Sequence, residues 1–320
     1  MRIVYMGTPE IARVCLERIY QDGHEIAAVY TKIDTPKNRG MKLTASPVKE
    51  FALAHDLPVI QPATFRDESV VEELRRLNPD LICVVAYGKL LPQAVLDIPK
   101  YGCINIHASL LPRLRGAGPI QWSILQGEKE TGVTAMYLSA GMDEGDMIDR
   151  IVTPIADTDT TETLTEKLSK TGAELLSRTV TAIGNGTAAR TPQDPAQATY
   201  APMLKKDMSP IDWSKTPREI SCQVRGLIPW PVATMELHGK PCKVFSVKIL
   251  DKTTDKAPGT LVAVTKKGLE VACGGGNLVL VEEVQAQGGK RMRCADYLRG
   301  HPITIESKAL CRQDRRRERR

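Results

Sequence analysis

The chain is poor in what most metal, redox and secreted proteins rely on. Its eight cysteines (Cys15, Cys83, Cys103, Cys222, Cys242, Cys273, Cys294 and Cys311) are scattered, and no two form a C-x-x-C pair. That excludes the common zinc and dithiol motifs and predicts reduced, mostly buried thiols. Five histidines are present and none lies three to five residues from another, so no metal is expected. Aromatic residues make up only 4% of the chain, too few to spend freely on stacking surfaces. No apolar run reaches the roughly 18 residues of a membrane span. The opening MRIVYMGTPE reads as a strand and turn rather than a leader, so a soluble cytoplasmic protein is expected. With 42% hydrophobic and 26% charged residues, 320 residues suffice for about two domains with real cores.

The net charge of +6 is unevenly placed. Residues 1–203 carry 21 basic and 25 acidic residues, a net of −4, whereas residues 204–320 carry 23 basic and 13 acidic, a net of +10. The Arg-rich tail at 312–320 supplies part of this excess, but not most of it. A near-neutral half joined to a basic half predicts a catalytic body attached to a domain that meets a polyanion.

In the first half, the apolar run Arg2–Met6 ends at Gly7-Thr8-Pro9, helical spacing follows over Ile11–Tyr20, and Gly23 suits the residue past a helix end. Glu25–Thr31 and the continuous apolar run Asp80–Ala86 are predicted strands, with helices over Pro47–Ala54 and Glu68–Leu77. Alternating strand and helix predicts a Rossmann-like, doubly wound α/β domain with a parallel sheet over residues 1–188. Gly7-Thr8-Pro9-Glu10 lacks the glycines of a dinucleotide fingerprint, which argues against NAD. The polar, proline-containing stretch 189–206 reads as a linker. Short β-rich runs punctuated by glycine fill 207–320, from Ala233–Leu237 to Leu278–Val284, and predict a small OB-like β-barrel.

The chemistry concentrates between Gly102 and Asp146. In Cys103-Ile104-Asn105-Ile106-His107 the two polar residues share one face of a strand, near its C-terminal end, where open α/β sheets bind ligands. Asp143 lies beyond a second strand, Val133–Leu138, in the glycine-bounded loop Gly141–Asp146, which a parallel sheet would bring to the same edge. Asn, His and Asp without a nucleophilic Ser or Cys suit direct transfer of a group between two bound substrates. Asn105 is a candidate oxyanion donor, His107 shares that role, and Asp143 orients the histidine and takes a proton from an attacking amine. Each residue alone also fits a capping, buried or turn role; the conjunction points to catalysis.

The stretch Asn105–Pro112, with Arg115-Gly116, Pro119-Ile120-Gln121, Thr131–Thr134 and Gly141–Asp146, resembles the signature of the 10-formyltetrahydrofolate-dependent formyltransferases. The resemblance implies catalytic roles for Asn105, His107 and Asp143. It also implies folate contacts from Ser109, Leu110, Leu111 and Pro112, and from the segment holding Tyr87, Gly88 and Leu90, with 10-formyltetrahydrofolate as co-substrate. The basic loop Thr31–Leu43 resembles that of family members acting on aminoacylated tRNA, which makes Lys37, Arg39 and Lys42 candidate contacts to initiator methionyl-tRNA. Ile211–Ser214, Arg225–Pro231 and Pro258–Thr260 extend the likeness, placing a tRNA-binding barrel in the basic half. Ile11 replaces the Phe frequent in the family. Trp213 and Trp230 are read as core or interdomain packing rather than stacking platforms, and His301 as structural. The chain is expected to act as a monomer, away from membranes. Two other readings stay open: a relative that formylates a small amine such as a sugar nucleotide or glycinamide ribotide, and a noncatalytic RNA-binding protein.

Overall fold

The computed structural model describes residues 1–37 and 42–303, with the side chains of Lys37 and Lys42 also outside the description. In chain order the first elements are β1 (Arg2–Gly7), α1 (Glu10–Gln21), β2 (Glu25–Tyr30), β3 (Thr35–Lys37), β4 (Lys42–Thr44), α2 (Pro47–Ala54), β5 (Val59–Ile60), α3 (Glu68–Arg76), β6 (Leu81–Val85), α4 (Gln93–Leu96) and β7 (Cys103–His107). They continue with α5 (Pro119–Leu125), β8 (Glu130–Tyr137), β9 (Met147–Pro154), α6 (Thr161–Gly184), α7 (Pro217–Gly226), β10 (Ala233–Leu237), β11 (Lys240–Thr253), β12 (Leu261–Thr265), β13 (Gly268–Cys273), β14 (Asn277–Ala286), β15 (Met292–Arg293) and α8 (Cys294–Gly300). Two compact units result. One comprises 1–119, 130–154 and 165–202; the other comprises 120–129, 155–164 and 203 onward.

The first unit is built on a seven-stranded sheet in the order β5-β2-β1-β6-β7-β8-β9. The pairs β5–β2, β2–β1, β1–β6 and β6–β7 are parallel, with the reversal of strand order between β1 and β6 that marks a doubly wound sheet. Every residue of β6 is buried, as its unbroken apolar sequence requires of a strand covered on both faces. Ser46 caps α2 by accepting from the Lys49 amide at 3.1 Å, with Pro47 in the first turn. Asp67 caps α3 in the same way through the Ser69 amide at 2.9 Å.

One expectation is corrected. β8 runs antiparallel to both β7 and β9, so the sheet is mixed rather than wholly parallel. The hairpin-like return from β8 to β9 needs no crossover helix, and none lies between them. Tyr137, the last residue of β8, therefore pairs with Ile104, upstream of His107 on β7. The loop that follows must fold back to reach the C-terminal end of β7.

The second unit contains an antiparallel sheet in the order β10-β11-β14-β13-β12, with β15 on β14. The described strands pair along an open path. β11 spans 14 residues and shifts register against β14 near Ser246 and Leu250. Thr216 and Glu219 form a reciprocal capping box at the start of α7. The core gathers Ile211, Ile220, Val224, Leu227, Val244, Val271 and Val281, together with Trp213. Trp230 departs from the packing expected of it: it is 56% exposed, in the Pro229–Pro231 turn. His301 stacks on Tyr297 with ring centroids 4.4 Å apart, and its Nδ1 lies 3.1 Å from the Tyr297 carbonyl, a local structural role. No helix among the described residues is long and apolar enough to cross a membrane.

The seven described cysteines are free and buried. Burial lifts the thiols of Cys15, Cys103 and Cys294 to about 12 and that of Cys242 to about 11, and raises Cys83 further. Thiolate is the reactive form, so these groups are expected to be inert near neutral pH. A chromogenic disulfide reagent should leave these seven unreacted in the native protein and titrate all eight after denaturation. Rapid native reaction of several thiols would contradict the buried assignment.

Candidate active site

Asn105 and His107 stand two residues apart on β7, and His107 is its last residue. Asn105 pairs with Val84 on one side and Met136 on the other, which fixes its position in the middle of the mixed sheet. The residue is half-buried, and among the described residues its carboxamide makes no hydrogen bond. A donor group aimed at no protein acceptor, on a rigid strand, is available to a bound substrate.

His107 is 6% exposed and its two ring nitrogens face neighbouring loops. Nε2 lies 2.9 Å from the Leu114 carbonyl, which can only accept, so Nε2 carries the proton. Nδ1 faces Asp143 Oδ2 at 3.6 Å. Asp143 Oδ2 also accepts from the Gly116 amide at 2.8 Å. The nine residues between β8 and β9 thus fold back to bring Asp143 to His107, as the sequence predicts, although by an antiparallel route. Nε2 is thus tied to the Leu114 loop, while Nδ1 faces the loop that carries Asp143. Among the described residues, no group of three or more His, Cys, Asp and Glu is arranged to hold a metal ion.

The Ser109–Pro112 segment is anchored on β8. Thr134 Oγ1 donates to the Ser109 carbonyl at 2.6 Å and accepts from the Leu111 amide at 3.2 Å. Ser109 Oγ donates to the Arg113 carbonyl at 2.6 Å. Ser109 and Leu111 are consequently buried, and only Leu110 and Pro112 keep part of their surface open. Gly132 permits this seating, since a Cβ there would stand 2.6 Å from Leu110 Cδ2 and 2.2 Å from the Ile151 carbonyl.

The Tyr87–Leu90 turn follows β6, at the same sheet end as His107. Tyr87 is buried, edge-on to Phe65 with centroids 6.2 Å apart, and its carbonyl accepts from Thr8 at 3.3 Å. Ala86 and Gly88 have φ of 45° and 72°, and Leu90 is 80% exposed. Among the described residues, the amides from Tyr87 to Leu91 donate to no main-chain carbonyl. Gly88 suits this turn because its φ is positive, and a Cβ would lie 2.5 Å from the flexible end of Lys32. Lys89 Nζ donates to the Pro62 carbonyl and, at 2.7 Å, to that of Ala63. Burial, and after it the Lys32 ammonium, lowers the Lys89 pKa. Two cations thus flank a turn with an open main-chain edge and an apolar side chain.

Arg39 lies outside the described residues. The described strands on either side, β3 and β4, pair antiparallel with Lys37 opposite Lys42. At its base Lys49 Nζ bonds Asp34 at 2.7 Å and Gln61 at 2.9 Å.

Two further candidates were given no role in the sequence reading. Arg115 is 5% exposed, and its guanidinium reaches Gln193 Oε1 from Nε at 3.1 Å and from Nη2 at 2.8 Å. Gln193 Nε2 in turn donates to the carbonyls of Asp143 and Gly145, both at 2.8 Å. Gln193 falls in a stretch that reads as linker, where nothing local distinguishes it from its polar neighbours. Thr191, two residues earlier, makes a two-bond bridge with Met147.

Comparison with known proteins identifies the family of the chain. The formyl transferase family model matches residues 1–180, and the formyl transferase C-terminal domain model matches 203–302. A methionyl-tRNA formyltransferase of Alkaliphilus oremlandii is 47% identical over 303 residues, 95% of this chain and 97% of the relative. One from Bacillus subtilis is 47% identical over 299 residues, 93% and 94% of the two chains. Among solved structures, an N-formyltransferase from Helicobacter canadensis in complex with folinic acid and dTDP-3-aminofucose superposes with a TM-score of 0.68 at 20% identity, covering 87% of this chain and 98% of that one. HypX from Aquifex aeolicus in complex with tetrahydrofolic acid gives 0.64 at 17% identity, over 93% and 47%. These two structures share the fold. On the family matches and the near-full-length identity, this chain belongs to the formyl transferase family.

Proposed function

We propose that this protein transfers the formyl group of 10-formyltetrahydrofolate to the α-amino group of methionine esterified to initiator tRNA. The observation that carries the reading is the convergence of Asn105, His107 and Asp143 at the end of β7, in a chain 47% identical to methionyl-tRNA formyltransferases over nearly its whole length. The donor fits the Tyr87–Leu90 turn: open amides suit the hydrogen-bonding edge of a pterin, Leu90 suits its face, and Lys32 with Lys89 suits an anionic glutamate tail. Leu110 and Pro112 add partly open apolar surface from the segment that follows β7.

The donor supplies an activated one-carbon acyl group; the chain's residues do the rest. Asp143 takes the proton, directly or through water, as the amine nitrogen bonds to the formyl carbon. Asn105 donates to the oxygen as the carbonyl electron pair moves onto it. The pair then returns, the bond to the folate nitrogen breaks, and that nitrogen picks up a proton. His107 holds Asp143 and the Leu114 loop in place throughout.

For the acceptor, the net +10 of residues 204–320 and the basic stretch 31–43, with Lys37, Arg39 and Lys42, fit a polyanion. We read the antiparallel sheet as an OB-like barrel, and divide the chain by function into a catalytic part (1–188), a linker (189–206) and a tRNA-binding part (207–320). The protein acts as a cytoplasmic monomer in this reading. A sugar-nucleotide acceptor is the alternative favoured by the Helicobacter canadensis likeness.

A labelled formyl donor offered with methionyl-tRNA, uncharged tRNA or an amino-sugar nucleotide decides between them. Label should enter methionyl-tRNA alone, and tRNA affinity should fall about tenfold or more between about 50 and about 200 mM salt. Label in the amino sugar but not in methionyl-tRNA would overturn the assignment.

A further inference from the structure

Asp143 adopts a left-handed backbone conformation, with φ of 53°, which a non-glycine residue keeps where its surroundings hold it there. Its carboxylate is held by Gly116 and His107, but its main chain is held from elsewhere. Gln193 Nε2 donates to Asp143's own carbonyl and to that of Gly145, so one amide clasps the loop on either side of Glu144. The same side chain's oxygen receives two N–H groups of the buried Arg115, next to Gly116. The amide orientation follows from the partners, because guanidinium only donates and carbonyls only accept. Gln193 Nε2 also lies 4.0 Å from the sulfur of Met136, the cross-strand neighbour of Asn105.

We infer that Gln193 is a positioning residue for formyl transfer: with Arg115 it straps the Asp143 loop to the Leu114–Gly116 loop, and so fixes where the proton acceptor stands relative to Asn105. Among the twenty side chains the site needs one that accepts on one atom and donates twice from another, about one amide length away. Glutamate satisfies Arg115 better, through a charge-assisted pair, yet sets an acceptor against two carbonyl acceptors. The inference rests on the formyl-transfer reading above.

That asymmetry supplies the test. Gln193→Glu keeps Arg115 paired and is expected to lower kcat for methionyl-tRNA formylation about ten- to hundredfold, with KM for both substrates near wild type, because misplacement of a reacting group by an ångström acts on the chemical step. In an Asp143→Asn background the same change should cost little more, since a residue acting through Asp143 has nothing further to position. Gln193→Met, which matches the length and removes every hydrogen bond, carries the same expectation if Gln193→Glu melts below the assay temperature. Wild-type kcat in either folded variant, or a full additional loss in the Asp143→Asn background, would overturn the inference. An inactive wild type would instead refute the formyl-transfer reading itself.

Discussion

Asn105→Ala is expected to lower kcat for formyl transfer by about 10²- to 10³-fold while leaving the fold and tRNA affinity near wild type. Removing one preorganised oxyanion donor has that scale of effect, because the donor acts on charge that exists only as the amine attacks. The geometry makes the prediction sharp. The Asn105 carboxamide makes no hydrogen bond among the described residues, so truncating it leaves no protein group unsatisfied, and the thermal midpoint should barely move. His107 offers no such clean test: its removal would release the Leu114 carbonyl and the Asp143 carboxylate together. Steady-state kinetics beside a thermal melt would check the expectation, and a near-wild-type kcat would remove Asn105 from the mechanism.

The second large effect is expected at Asp143. Asn at this position is nearly isosteric and can still accept from the Gly116 amide at 2.8 Å, so the loop keeps its place. Asn also tolerates the left-handed backbone that Asp143 adopts. In the proposed mechanism it loses the ability to take a proton from the methionyl amine, and it no longer keeps a negative charge opposite His107 Nδ1 at 3.6 Å. General-base catalysis contributes about 10²- to 10⁴-fold, and kcat should fall within that range.

Much of this was legible in the sequence because it is written in short-range pattern. β6 is an unbroken apolar run, α1 is followed by Gly23 at φ 80°, and β10 spans Ala233–Leu237 as its sequence predicts. The spacing of Asn105 and His107 placed them together at a strand end for the same reason. What stayed hidden depends on contacts distant in the chain. The direction of β8 follows from a hairpin-like return that local periodicity cannot report, since strands of either direction alternate alike. The exposure of Trp230 depends on how its turn sits on the second unit, not on its apolar neighbours. Gln193 acts across 50 residues to Asp143 and 78 to Arg115, from a stretch with the composition of a linker. Ser109 and Leu111 sit in a motif associated with folate, yet the Ser109 hydroxyl serves Arg113, Thr134 holds the main chain of both and Leu111 is buried, which leaves Leu110 and Pro112 as the open surface of that segment.

The most direct measurement of the central claim is single-turnover formylation of methionyl-tRNA by the wild type and Asp143→Asn enzymes at saturating 10-formyltetrahydrofolate, with tRNA affinity measured in parallel. The wild type should produce N-formylmethionyl-tRNA. Asp143→Asn should bind the tRNA equally well and transfer formyl about 10²-fold more slowly or worse. Equal transfer rates in the two proteins, or no transfer to methionyl-tRNA by the wild type, would contradict the mechanism proposed for Asn105, His107 and Asp143.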